Sequence, residues 1–282
     1  MLEMKNKITI LDGAFGTMLQ QKGLLTAAVP EANNLTHPEI ITDIHREYIR
    51  SGAEIIYAST FGVNRYKLEG TPYTVSQLVD AAVENARKAR DAENPLVKIA
   101  LDCGPIGKMM KPNGDMSFDE AYRIFEEIVT AGDQAGVDLI VFETFTDLAE
   151  IKAGILAAKE HTGLPIFASM SFEANGRTFA GVPISAAALT LSGLEVSAVG
   201  INCSLGPEQI LPLAEELVKW TNLPVLIKPN AGLPDPETDQ YEITPAEFAE
   251  ITARFADLGA AYIGGCCGTT PQYISALRDR LS

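Results

Sequence analysis

Residues 198–230 read AVGINCSLGPEQILPLAEELVKWTNLPVLIKPN, and this stretch contains the unit from which the whole chain is built. Two short apolar runs, Ala198–Asn202 and Pro224–Lys228, flank an amphipathic segment that Pro207 opens. A proline near a helix start does no harm, because the first N–H groups of a helix have no intrahelical partner. Runs this short, continuous in apolar character and rich in Val and Ile, suit parallel strands covered on both faces. Outward from this unit the same kind of run recurs at Ile8–Leu11, Glu54–Ala58, Val97–Leu101, Asp138–Phe142, Pro165–Met170 and Ala261–Gly265, which brings the count to eight.

The segments between the runs carry helix signals. Thr36-x-x-Glu39, Thr74-x-x-Gln77, Ser117-x-x-Glu120 and Thr244-x-x-Glu247 have capping-box spacing, in which a hydroxyl and a carboxylate or amide satisfy orphan amides reciprocally. Pro38, Pro245 and Pro271 stand near further helix starts. Ile40, Ile41, Ile44 and Tyr48 recur at helical spacing, as do Phe118, Tyr122, Phe125 and Val129. Gly52, Gly136, Gly163 and Gly259 are placed as left-handed residues that end helices.

The loops are polarised. Helix-to-strand connections are short, whereas strand-to-helix connections are longer and hold the unusual residues: Asp12–Gly16, Phe61–Thr74, Cys103–Ser117, Ser171–Pro183 and Asn230–Thr244. Eight β/α repeats of roughly 35 residues with such loops describe a single-domain TIM (β/α)8 barrel over residues 1–282, with its active site at the strand C-termini. The competing fold is a doubly wound open sheet, but its G-x-G-x-x-G fingerprint is missing after the first strand.

Composition narrows the function. The 282 residues hold 22 Lys+Arg against 37 Asp+Glu, a formal net charge of −15. So acidic a chain is a poor partner for nucleic acid or an anionic membrane, which require clustered Lys and Arg. No apolar run approaches the roughly 20 residues of a membrane helix, and Met1–Ile10 lacks a signal-peptide core, so a cytoplasmic protein is expected. Four cysteines are too few for a disulfide scaffold and, in a reducing compartment, point to metal binding or catalysis.

All four lie at strand ends. Cys103 follows the third strand, Cys203 ends the sixth, and Cys266 and Cys267 end the eighth. The sixth and eighth strands flank the seventh, so Cys203, Cys266 and Cys267 can surround one soft metal such as zinc, leaving an exchangeable position. Adjacent cysteines in regular strand face opposite ways. Gly264, Gly265 and Gly268 are therefore expected to supply the freedom that turns both sulfurs to one ion. The alternatives are inert buried thiols, a thiol nucleophile with a histidine base, or a phosphate site on the glycines after the seventh and eighth strands. His37, His45 and His161 lie before, inside and after helices, away from every strand tip.

Six motifs then carry a resemblance. They are Leu11-Asp12-Gly13-Ala14-Phe15-Gly16-Thr17-Met18, Thr60-Phe61-Gly62-Val63-Asn64-Arg65, Glu143-Thr144-Phe145, Ile201-Asn202-Cys203-Ser204-Leu205-Gly206-Pro207, Pro229-Asn230-Ala231-Gly232-Leu233-Pro234 and Gly264-Gly265-Cys266-Cys267-Gly268-Thr269-Thr270-Pro271. In this order, over nearly the whole chain, they resemble the homocysteine S-methyltransferase family, and within it the homocysteine-binding module of cobalamin-dependent methionine synthase most of all. The resemblance implies a zinc ion held by Cys203, Cys266 and Cys267. It implies methyl transfer to the zinc-activated thiolate of homocysteine, giving methionine, with no other catalytic residue. It also implies that Asp12 and Glu143 hold the substrate's ammonium, a natural use of carboxylates. Both acids also read as solvated strand-end carboxylates.

Backbone amides of Gly13, Ala14 and Phe15, where a helix begins, are suited to the substrate carboxylate. Asn230, at the seventh strand tip between the two cysteine sites, is a candidate fourth zinc ligand when substrate is absent, and equally a turn residue. Phe15, Phe61 and Phe145 stand beside the motifs as wall or packing residues, and Cys103 matches no ligand motif. Asp43-Ile44-His45 has the first half of the Asp-x-His-x-x-Gly of corrinoid-binding domains, but Tyr48 replaces the glycine and the triplet lies in an amphipathic helix.

The chain shows no second domain for a methyl donor. The expected donor is methylcobalamin carried by a separate corrinoid protein that docks on the barrel mouth. Betaine or S-methylmethionine is the alternative. More remote readings are a phosphate-binding barrel lyase or aldolase with Lys228 as base, and a non-catalytic homocysteine-binding subunit.

Overall fold

The computed structural model describes residues 7–24, 29–235, 241 and 243–282. Part of the Met1–Ile10 segment and part of the Asn230–Thr244 loop therefore lie outside the described residues. Eight strands form one parallel sheet: β1 (Thr9–Ile10), β2 (Ile55–Tyr57), β3 (Lys98–Cys103), β4 (Leu139–Phe145), β5 (Ile166–Met170), β6 (Ala198–Asn202), β7 (Val225–Lys228) and β8 (Ala260–Ile263). Neighbours in the sequence are neighbours in the sheet, and β1 pairs with β8 through Thr9↔Tyr262 and Ile10↔Ile263. The circle closes between β1 and β2, where Leu11 bridges Ile55, Glu54 N–H donates to Ile10 O at 2.7 Å and Asp12 N–H donates to Ile55 O at 3.2 Å. The molecule is a TIM barrel, and this closure excludes the open doubly wound sheet.

Strand alternation divides the core in two. Leu11, Ile55, Tyr57, Ala100, Leu139, Val141, Phe167, Ala198 and Leu226 fill the barrel interior. The opposite strand faces pack against the helical ring: Ile41, Ile44 and Tyr48 of helix Pro38–Arg50 and Phe125 and Val129 of helix Phe118–Ala135 are buried there. Phe118, placed on that stripe by spacing, opens its helix and is exposed. No helix among the described residues is long and apolar enough to cross a membrane.

Two of the four capping boxes form in full, at Thr74/Gln77 and Thr244/Glu247. Ser117 accepts from Glu120 N–H without the reciprocal bond. The box expected at Thr36 does not form. Helix Pro38–Arg50 starts from His37, and the Thr36 hydroxyl donates back to Ala32 O at 3.3 Å, because a short helix, Asn33–Thr36, already occupies that residue. Gly52, Gly136 and Gly259 are left-handed as expected. Gly163 is not, since helix Leu148–His161 ends on an extended Thr162.

His45 is fully buried in helix Pro38–Arg50, its ring 4.9 Å from that of Phe15, and neither ring nitrogen has a hydrogen-bond partner among the described residues. Burial depresses its pKa to about 3. The unfolded chain binds a proton near pH 6.5 that the native state refuses, so this group's stabilisation is complete above about pH 6.5 and is lost as the pH falls towards 3. Between pH 7 and pH 5 wild type is expected to lose roughly 2 kcal/mol more than His45→Leu in chemical denaturation. Equal losses in the two proteins would contradict this.

Candidate active site

The strand alternation that fills the barrel interior continues to the C-terminal ends of the strands, where the inner-face residues change from apolar to polar. Tyr57 ends β2 on that face, Asp102 β3, Ser169 β5, Asn202 β6 and Lys228 β7, while Glu143 stands near the end of β4, and all six are buried. Above them opens a cavity of about 410 Å³, with Asp12, Tyr57, Asp102, Glu143 and Lys228 among its lining residues. The three cysteines of the sixth and eighth strand ends line it as well.

Charge is concentrated below the cysteines. Lys228 Nζ lies 3.0 Å from Asp12 Oδ1, 3.8 Å from Glu143 Oε2 and 3.5 Å from the centre of the Tyr57 ring. Burial works against this ammonium, but Asp12, Tyr57 and Glu143 outweigh it and keep the lysine charged well above its ordinary range. The other Asp12 oxygen, Oδ2, accepts from Tyr57 N–H at 2.6 Å, so both oxygens of Asp12 are engaged. Asp102 Oδ1, Glu143 Oε2 and the Tyr57 hydroxyl have no hydrogen-bond partner among the described residues. Burial, reinforced by the neighbouring Glu143, pushes the Asp102 carboxyl well above the usual carboxylate range.

Cys203, Cys266 and Cys267 place their sulfurs within 4.8 Å of one another, and Cys203 Sγ to Cys267 Sγ is 3.7 Å. Tetrahedral zinc with Zn–S near 2.3 Å requires sulfur separations of about 3.8 Å, so the donor set fits that metal. The crowded thiols oppose one another's ionisation. The hydrogen bond from a neighbouring cysteine and burial push Cys267 up to about 12, and Cys203 is raised too. Asn230 sits between the two cysteine loops. Its N–H donates to Leu205 O, Ala231 N–H donates to Cys267 O, and its side-chain Oδ1 is buried without a hydrogen-bond partner among the described residues.

The backbone that aims these sulfurs differs from expectation. Of the three glycines around Cys266 and Cys267, only Gly268 takes a positive φ, 81°. Gly264 and Gly265 are needed for close approach instead: a Cβ on Gly264 would stand 2.7 Å from Asp12 O, and one on Gly265 would collide with the Thr269 side chain. The strained conformation falls on Cys203 itself, with φ 61°, followed by Ser204 with φ 61°. Such left-handed non-glycine residues cost about 1–2 kcal/mol each and persist where the surroundings over-determine them. Asn202 is part of those surroundings. Its Oδ1 accepts from Thr144 N–H at 2.9 Å and Ser169 Oγ at 2.8 Å, while its Nδ2 donates to Thr144 Oγ1 at 2.8 Å and faces Cys266 Sγ at 3.9 Å.

The structure thus brings Asp12, Glu143, Gly13, Ala14, Phe15 and the three cysteines into one cavity. Ala14 N–H is committed to Thr269, at 3.1 Å to its carbonyl and 3.2 Å to its hydroxyl. Phe61 lines the cavity, whereas Phe145 is fully buried against Phe125 and Phe142. Cys103 is buried on the outer face of its strand, in the core against the helical ring. Sequence reasoning missed Tyr57 and Asp102. A signal existed for Asp102, since an acid interrupting a buried apolar run faces either the barrel axis or the helical ring.

The homocysteine S-methyltransferase family model matches residues 9–281. Methionine synthases of Mycobacterium tuberculosis and Mycobacterium leprae are each 30% identical, over 96% and 95% of the chain. The chain spans only 24% of the length of these curated relatives. The homocysteine methyltransferase MmuM from Escherichia coli, in a metallated form, superposes with a TM-score of 0.84 and 27% identity, covering 97% of this chain and 96% of that one.

Because Asn202 satisfies four polar contacts under the strained turns, Asn202→Leu should destabilise the protein by roughly 2–4 kcal/mol. Urea denaturation measures this, and a loss under about 1 kcal/mol would show that the hub does not hold the turns in place.

Proposed function

The chain belongs to the homocysteine S-methyltransferase family, and from that premise we propose that residues 1–282 form one domain that methylates the thiol of homocysteine to give methionine. The observation that carries this reading is a single cavity lined by three clustered cysteine sulfurs and by carboxylate oxygens that have no hydrogen-bond partner among the described residues. That is the complement of a molecule with a thiol at one end and an ammonium at the other.

Cys203, Cys266 and Cys267 would hold zinc, with Asn230 Oδ1 available as the fourth donor in the absence of substrate. Bound there, zinc would lower the pKa of an incoming thiol while its anionic thiolate ligands keep that sulfur electron-rich. The chain's own residues do the positioning. The acids of the floor, Asp12 and Glu143 around Lys228, receive the ammonium end. The Gly13–Phe15 turn receives the carboxylate. With Ala14 N–H committed to Thr269, first-turn amides such as that of Phe15, which have no intrahelical partner, remain for it. Cavity burial excludes water from the thiolate. The new S–CH₃ bond forms as the bond between methyl and donor breaks.

For the donor we favour a methyl-corrinoid on a separate protein. The resemblance of the Phe61–Arg65 and Pro229–Pro234 motifs to cobalamin-dependent methionine synthase supports this choice, and the mycobacterial relatives are methionine synthases. The second reading is a small donor such as betaine or S-methylmethionine, supported by the end-to-end match to an Escherichia coli enzyme of similar length. An aldolase or lyase using Lys228 as base gains no support, because that ammonium is ion-paired with Asp12.

Purified protein should carry about one equivalent of zinc, and Cys203→Ala should lose most of it along with at least about 100-fold in methionine formation. Less than about half an equivalent, with no loss in the variant, would contradict the zinc assignment. Supplying methylcobalamin, betaine and S-methylmethionine in parallel assigns the donor. Methionine from free methylcobalamin alone is expected. Turnover with neither these nor a corrinoid protein would favour a non-catalytic homocysteine-binding subunit.

A further inference from the structure

The floor of the cavity contains one more acid than the family motifs assign. Asp102 ends β3 on the inner face, opposite Val141 in the β3–β4 ladder, so Glu143 stands two residues further along on the same face of the neighbouring strand. Its backbone is held on both sides by Thr60, whose hydroxyl donates to Asp102 O at 2.8 Å and accepts from Asp102 N–H at 3.0 Å. Asp102 is 8% exposed, lines the cavity, and has no hydrogen-bond partner for Oδ1 among the described residues. Among the described residues Glu143 Oε2 likewise has no hydrogen bond, and Lys228 stands 3.8 Å from it. Asp12 is in the opposite condition, with one oxygen on Lys228 and the other on Tyr57 N–H.

A substrate ammonium brings three N–H donors and one positive charge. It gains most where buried acceptors lack both, and an unmatched buried acceptor is costly to leave. We propose that Asp102, paired with Glu143, holds the amino group of the thiol substrate, while Lys228 engages Asp12 and withdraws it from that contact. This rests on the homocysteine reading above and changes which acids carry it. Asp102 then becomes the residue by which the site tells an amino thiol from a plain thiol acid.

The test is isothermal titration of the zinc-containing protein with homocysteine and with 4-mercaptobutanoate, which lacks only the amino group. Wild type is expected to prefer homocysteine by about 10–100-fold, the usual worth of a charge-assisted hydrogen bond. Asp102→Asn should weaken homocysteine binding by about that factor, leave 4-mercaptobutanoate within about threefold, and keep its zinc. A merely structural role would weaken both ligands together. An Asp102→Asn protein that retains the wild-type preference, or loses both ligands equally, overturns the assignment alone. A wild type that binds neither thiol overturns it along with the homocysteine reading. Should Asp102→Asn fail to fold, Asp102→Ser in the same titrations decides by the same ratio.

Discussion

A lysine ammonium buried beside carboxylates makes the mouth of this barrel possible. Three acids, Asp12, Asp102 and Glu143, are each nine-tenths or more buried at the ends of β1, β3 and β4, and the chain as a whole carries a formal charge of −15. Burying several carboxylates without compensation is prohibitive. Lys228 supplies the compensation at 3.0 Å from Asp12 and 3.8 Å from Glu143, with the Tyr57 ring face against it. One cation faces three acids, and burial pushes the Asp102 carboxyl well above the usual carboxylate range. The floor still offers a further cation the Asp102 and Glu143 oxygens that lack a hydrogen-bond partner among the described residues.

The cysteine end has the same character. Three thiols packed within 4.8 Å oppose one another's ionisation and form a donor set that a cation would satisfy. Around it the backbone accepts strain at Cys203, Ser204 and Thr144, all left-handed, and removes side chains at Gly264 and Gly265, where strand ends crowd together. Asn202 ties the turn after Glu143 to the ends of β5 and β6, so the acidic and sulfur ends share one scaffold. An acidic end and a sulfur end on one frame match the proposed substrate, which carries an ammonium and a thiol.

Much of this was legible in the residues alone. Each of the eight apolar runs became a strand, because a strand buried on both faces must be apolar throughout and leaves a contiguous signal. The cysteines, Asp12 and Glu143 stood out because they end such runs. Asp102 and Lys228 were harder to read. Asp102 directly follows its run and Lys228 closes its own, and only the strand's two-residue alternation, with its phase known from the fold, shows that they face the axis. The role of the glycines could not be read from spacing, since a glycine needed for close approach and one needed for positive φ look identical in sequence. Thr36 failed as a cap for a similar reason: an adjoining helix had already claimed its hydroxyl.

The most direct test of the account is a crystal structure of the zinc-containing protein with homocysteine bound. The account predicts the substrate sulfur beside Cys203, Cys266 and Cys267 and its amino nitrogen within hydrogen-bond distance of Asp102 and Glu143, with the Lys228–Asp12 pair intact. A substrate nitrogen seated on Asp12 with Lys228 displaced, or a sulfur directed away from the three cysteines, would contradict it.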